Sequence, residues 1–183
     1  MLMRNNKKTL YGRLISCAFA LSVLGGSGAA AESEHPSISL DKAGSSAARE
    51  IFVDRDSGWT VEIAITYPGG GVAFDDPRVV RLNNLVDDVS GGGGVPRKPH
   101  RGIRLRLKVT KFNGPQSEVV REKTIDQEPL HGNGGGAALL SVDGFRLSPG
   151  SYAVSIEVLD DDPRFAGVDA HMRVGVKPFT YEK

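Results

Sequence analysis

Several short stretches of the chain alternate apolar and polar residues with period two. In the clearest, Trp59, Val61, Ile63, Ile65 and Tyr67 fall on one side and Thr60, Glu62, Ala64 and Thr66 on the other. β-Branched and aromatic residues at every second position predict a half-buried strand. "IRLRLKV" repeats the pattern, with Ile103, Leu105, Leu107 and Val109 on one face and Arg104, Arg106 and Lys108 on the other. "SYAVSIEVL" sets Tyr152, Val154, Ile156 and Val158 against Ala153, Ser155 and Glu157, and "HMRVGV" aligns Met172, Val174 and Val176. Weaker strands are predicted at "ISL" from Ile38, at "AREIFVDRD", at "SEVVREKTI" after the turn "FNGPQ", and at "AALLSVDGFRL", broken near Gly144. "DRDSG", Asp54 to Gly58, reads as a hairpin turn joining the strands on either side of it.

One stretch has helical spacing instead. In "DPRVVRLNNLVDDVSG", Val79, Leu82, Val86 and Val89 recur at i, i+3, i+7 and i+10, with Leu85 beside them. Asp76 is placed to cap the N-terminus, Pro77 suits the first helical position and Gly91 can end the helix. About seven short strands with turns of Gly, Pro and Asn, and one short helix, predict an all-β fold: an antiparallel, immunoglobulin-like β-sandwich. The glycine clusters "YPGGGV", "SGGGGVPRKPHRG" and "HGNGGG" read as inter-strand loops. None has the Lys-Ser/Thr ending or the strand-to-helix setting of a phosphate cradle.

The first 31 residues belong to a different class. Arg4, Lys7, Lys8 and Arg13 precede the apolar run Leu14 to Leu24, and small residues follow, with Ala29 and Ala31 two apart. This is the layout of a secretory signal peptide cleaved before Glu32, which leaves residues 32–183 as a single domain, periplasmic or secreted. Eleven apolar residues fall short of the roughly 20 needed to span a bilayer, so no stable membrane span is expected. "LISC", ending at Cys17, has the form of a lipoprotein box, and lipid anchoring through Cys17 is the minor alternative. In that reading the apolar run should precede the cysteine, whereas most of it follows.

Cleavage removes the sole cysteine, four of the 23 basic residues and none of the 22 acidic ones, leaving a formal charge of −3. An internal disulfide is then impossible. Nucleic acid, which wants a basic surface, is not an expected partner.

Candidate chemistry is sparse. There is no G-x-S-x-G elbow, and His35, His100, His131 and His171 lack zinc-ligand spacing. Calcium could be sought at "DRDSG" or at Asp160, Asp161 and Asp162. However, this ion wants about 6 to 8 oxygens, and consecutive side chains on an extended chain point to opposite faces. Turn and cap chemistry accounts for both stretches, and Asp162 with Pro163 repeats the "DDPR" of Asp76 with Pro77. The basic face of "RLRLK", with Arg97, Lys98 and Arg101 upstream, could dock an acidic partner, or guard the strand against edge-to-edge pairing. Trp59 and Tyr67 belong to the core side of their strand. No catalytic, cofactor-binding or metal residues are assigned, and no cofactor is expected.

The stretch "LSPGSYAVSIEVLDDDPRFAGVDAHMRVGV" resembles the C-terminal strand pair of exported bacterial β-sandwiches. With "REIFVDRDSGWTVEIAITY" and "GIRLRLKV" in order before it, most of residues 32–183 resembles a family of exported bacterial proteins of unknown function, immunoglobulin-like in shape, some known as antigens. The "SGGGG" insertion departs from that pattern. The resemblance implies no catalytic residues. It implies for Tyr152 the place of a tyrosine corner, its hydroxyl bonded to backbone in the preceding turn. The function expected is that of a non-enzymatic, monomeric protein binding another protein or a cell-envelope component through its loops. The alternatives are an envelope immunity or accessory protein neutralising a toxin, a calcium-binding module or enzyme using loop Asp and His, and a subunit that exchanges a strand at a sheet edge.

Overall fold

A computed structural model describes residues 35–71, 75–90, 102–126, 130–134 and 136–177. Among them lie eight strands: β1 (Ser46–Val53), β2 (Ser57–Thr66), β3 (Leu105–Asn113), β4 (Gln116–Ile125), β5 (Leu130–Gly134), β6 (Ala137–Leu147), β7 (Gly150–Val158) and β8 (Ala170–Val176). The helix α1 (Pro77–Ser90) lies between β2 and β3. All pairings are antiparallel, and the strands form two sheets ordered β1-β7-β3-β4 and β5-β6-β2-β8. The predicted all-β sandwich is therefore what the chain forms.

Period-two alternation places one face of each strand inside. Val61, Ile63 and Ile65 of β2, Leu105, Leu107 and Val109 of β3, Val154, Ile156 and Val158 of β7, and Met172 of β8 are wholly inaccessible to solvent. Each such side chain contributes about 1.5–3 kcal/mol on burial, before the entropy cost of ordering it. Trp59 and Tyr67 join this core as expected.

Strands β2 to β7 follow immunoglobulin connectivity, with β5-β6-β2 facing β4-β3-β7. The first and last strands have exchanged sheets. β1 lies beside β7, where such a sandwich has its last strand, and β8 lies beside β2, where it has its first. "DRDSG" is consequently not a hairpin turn, because β1 and β2 belong to opposite sheets. Turn residues fix a local change of direction without choosing the partner strand. Here Ser57 Oγ donates to Arg55 O and accepts from Trp59 Nε1, both at 3.0 Å, to hold the crossover.

Three further expectations are revised. β6 continues through Gly144, and what looked like a break is a bulge. Val61 pairs with Asp143 and Glu62 with Ser141, so Val142 is the extra residue and the inward phase shifts from Leu140 and Val142 to Asp143, Phe145 and Leu147. "HGNGGG" is not only a loop: its first four residues belong to β5, paired with β6, because backbone pairing needs no side-chain alternation. "ISL" is not a strand but a single bridge, Ser37 with His171, flanked by bonds from Ile38 N to Ala170 O (2.9 Å) and Met172 N to Pro36 O (2.8 Å). This segment covers half of the outer edge of β8. Arg49 Nη1 from β1 donates to Val174 O at 3.2 Å and occupies more of that edge.

The helix forms where predicted. Asp76 Oδ1 accepts from Arg78 N at 2.8 Å, Asp76 O accepts from Val80 N at 3.0 Å, and Val79, Leu82, Leu85, Val86 and Val89 are buried. Gly91, Cys17, His100, the basic residues Arg97, Lys98 and Arg101, and residues 1–31 lie outside the described residues. No helix among the described residues is long and apolar enough to cross a membrane.

Candidate functional site

The two "DDPR" stretches build matching caps. At the start of α1 the Arg78 side chain folds back on Asp76, Nη2 to Oδ2 at 2.7 Å and Nε to Oδ1 at 3.1 Å. At the 3₁₀ turn Pro163–Phe165 the Arg164 side chain does the same to Asp162, at 2.6 and 2.9 Å, while Arg164 N donates to Asp162 Oδ1 at 3.2 Å. The hydrogen bond from the Arg78 side chain, reinforced by its backbone N–H, pulls the Asp76 pKa down to about 2. Hydrogen bonding to Asp162 raises the Arg164 pKa, and the charge of Asp88 on α1 adds to it. Arg81 Nη2 donates to Arg164 O at 3.1 Å, so the helix and the turn are tied together.

Beside this tie lies a cavity of about 420 Å³. One wall is the first half of α1, with Arg78, Arg81, Leu82 and Leu85. The others are the end of β2 with the glycine turn Pro68–Gly71, and residues Ala166 to Asp169 leading into β8. Tyr67 OH donates to Asn83 Oδ1 at 2.7 Å and fixes the helix over the end of β2. Gly69 (φ 64°) and Gly167 (φ 73°) both take the left-handed conformation that favours glycine. A Cβ built on either would have no atom within 4 Å, so the space over them is open. On the far wall the Asp169 carboxylate meets His171 Nε2 at 3.0 Å, and His171 Nδ1 faces His35 O at 3.3 Å.

Asp160, Asp161 and Asp162 do not converge. Asp160 faces Arg104 at 3.7 Å, Asp161 accepts from Ala43 N at 2.9 Å, and Asp162 caps the 3₁₀ turn. Two basic residues of the "RLRLK" face are charge-paired: Arg106 sits between Glu157 of β7 (3.3 Å) and Glu122 of β4 (3.9 Å), and Arg104 also meets Asp126 (3.4 Å). The bulge in β6 turns Asp143 toward Arg121 (2.6 Å) and Lys123 (3.4 Å) of β4. Arg121 also lies over the Phe145 ring. Tyr152 makes the expected corner, its hydroxyl donating to Ser148 O at 2.8 Å.

Sequence reasoning found both caps but not the cavity beside them, and it did not single out Arg78, Arg81 or Asp169. The repeated "DDPR" was the available signal; that Arg81, one turn beyond the first copy, reaches Arg164 of the second was not. It also missed Phe52, which is 73% exposed on the outer face of β1 and shares a row with Ser151 and Phe112.

These features define an immunoglobulin-like β-sandwich with exchanged terminal strands and a helix-walled cavity at one end. Residues 35–176 match the model of a family described as a domain of unknown function (DUF5625), and the chain belongs to that family. Among solved structures it is similar to a crystal structure of a protein from Sulfurospirillum deleyianum. The TM-score is 0.56 at 13% sequence identity, covering 79% of this chain and 97% of the other, a likeness of fold. No curated protein matches the chain.

Proposed function

We propose that this is an exported, non-enzymatic binding protein that engages a protein or another component of the cell envelope through the cavity-bearing end of the sandwich. The observation that carries this reading is the cavity of about 420 Å³ between α1 and the loop Ala166 to Asp169, on elements pinned by two Asp-Arg caps. A rigid concave site of this kind is what a binding surface requires. Its polar rim supports holding rather than turnover: Arg78 is committed to Asp76, and Asp169 to His171. Export is supported by the basic start, the Leu14–Leu24 apolar run and the small residues before Glu32.

The test is in-cell photocrosslinking, with the reactive residue placed at Pro68 beside the cavity or at Thr124 on β4. The expected result is a discrete adduct from position 68 in the envelope fraction and none from 124. Adducts from 124 alone, or a cytoplasmic protein retaining residues 1–31, would overturn the reading.

A further inference from the structure

We propose that the cavity binds a small amphipathic anion, an apolar body carrying one carboxylate or phosphate. This rests on the reading of that end of the sandwich as a binding site and goes on to name the ligand chemistry.

The cavity, about 420 Å³, falls within the range of small-molecule sites, roughly 300–1,000 Å³. Its depth is apolar, with Leu82 and Leu85 from the helix and Val168 from the opposite loop. The charged groups at its rim are engaged by partners of different kinds. Arg78 is neutralised by Asp76, and Asp169 is engaged by His171. Arg81 gives one N–H to a neutral carbonyl, Arg164 O at 3.1 Å, and has no carboxylate partner among the described residues. A guanidinium has five N–H donors, so most of this fork and its whole charge remain for a ligand. Arg81 lies one helical turn beyond Arg78 and shares its face, which keeps the free charge at the rim rather than on the outer side of α1. An apolar floor under a fork-shaped cation with no carboxylate partner among the described residues is complementary to an amphiphile with a carboxylate or phosphate head, either of which takes paired N–H bonds from arginine. A cationic amphiphile would meet Arg81 as a like charge, and a neutral one would leave the fork unused.

Titration of the purified protein with decanoate, decyl phosphate, decanol and decyltrimethylammonium, each below its micelle concentration, tests this by methyl NMR. Both anions are expected to shift the Leu82, Leu85 and Val168 methyl signals, decanol to bind roughly tenfold more weakly, and the cation more weakly still. The tighter of the two anions tells a fatty-acid type of head from a phosphorylated one. Arg81→Gln should weaken the anions roughly tenfold, the loss of one charge-assisted interaction, and leave decanol unchanged. Arg81→Lys should restore part of the anion preference. Ala166→Trp, at an exposed position of the lining, should weaken anions and decanol together.

Equal affinity for decanoate and decanol, or anion binding indifferent to Arg81→Gln in a variant whose methyl spectrum is otherwise native, would overturn the proposal. So would shifts confined to residues around Phe52 and Phe112. The two readings fail separately. Crosslinks from position 68 with no anion preference would remove only the ligand class. Anion binding at the cavity without an envelope adduct would remove only the macromolecular partner.

Discussion

Tyr152 is almost wholly buried, yet its ring ends in a hydroxyl that donates to Ser148 O, in the turn that links β6 to β7. Ser148 itself is exposed, so water can replace the lost partner of that carbonyl. Tyr152→Phe should lower stability by about 1 kcal/mol, the net worth of one hydrogen bond. Equal urea midpoints for the two proteins would refute this role. Asp143 is a sharper case, because opposing forces act on one carboxyl. Burial works to raise its pKa, but the hydrogen bond and charge of Arg121, together with Lys123, outweigh burial and lower it. A carboxyl with a folded pKa below its unfolded value, about 3.9, stabilises the protein above that pH. The contribution fades as pH falls through the folded pKa, where the unfolded chain holds the proton more tightly. Asp143→Asn should therefore flatten the dependence of unfolding free energy on pH below about 4. An unchanged acid slope would show that the ion pair is not what acid breaks.

Among the elements, α1 depends on its first turn. Replacing Asp76 with Ala removes the acceptor of Arg78 N and the anchor of the Arg78 side chain. Faster hydrogen exchange at the first-turn amides is expected, with the β-sheet amides unchanged. The aspartates after β7 lead to a second expectation. With Asp160, Asp161 and Asp162 each turned to a different partner, millimolar calcium should leave the melting temperature where it is. A rise in melting temperature that Asp160→Asn and Asp161→Asn abolish would reverse that conclusion. The same physics explains how much was legible in the sequence. β2, β3, β7 and β8 announced themselves because each buries a single face against one core, and α1 because its stripe and cap agree. β5 was silent because glycine carries no alternation, and β6 looked broken because the bulge at Val142 changes its phase. The crossover between β1 and β2 looked like a hairpin because its residues record a bend and not a destination. The cavity was illegible for a related reason: α1 and the Ala166–Asp169 loop come from opposite halves of the chain.

At the scale of the whole molecule, the outer edge of β8 is kept from pairing with another sheet by the Pro36–Ile38 segment and by Arg49. The edge strand β4 carries Arg121, Glu122 and Lys123, and its ladder with β3 is bulged between Val109 and Thr110. Both devices discourage sheet-to-sheet association. Removing the chain through Ser37 should make the mass seen in light scattering rise with concentration more steeply than that of the full chain. A truncated protein that scatters as the full chain does would mean that Arg49 alone protects the edge. The exchange of the terminal strands also sets a timetable. Ser46 must find Glu157, and Ile65 must find Ala170, so neither sheet is complete until the C-terminal strands are available. A chain delivered N-terminus first, from a ribosome or through a pore, waits for nearly its whole length before it can close. Until then β2 has half of its partners and β1 has none, which makes chaperone dependence during delivery greatest for this early segment.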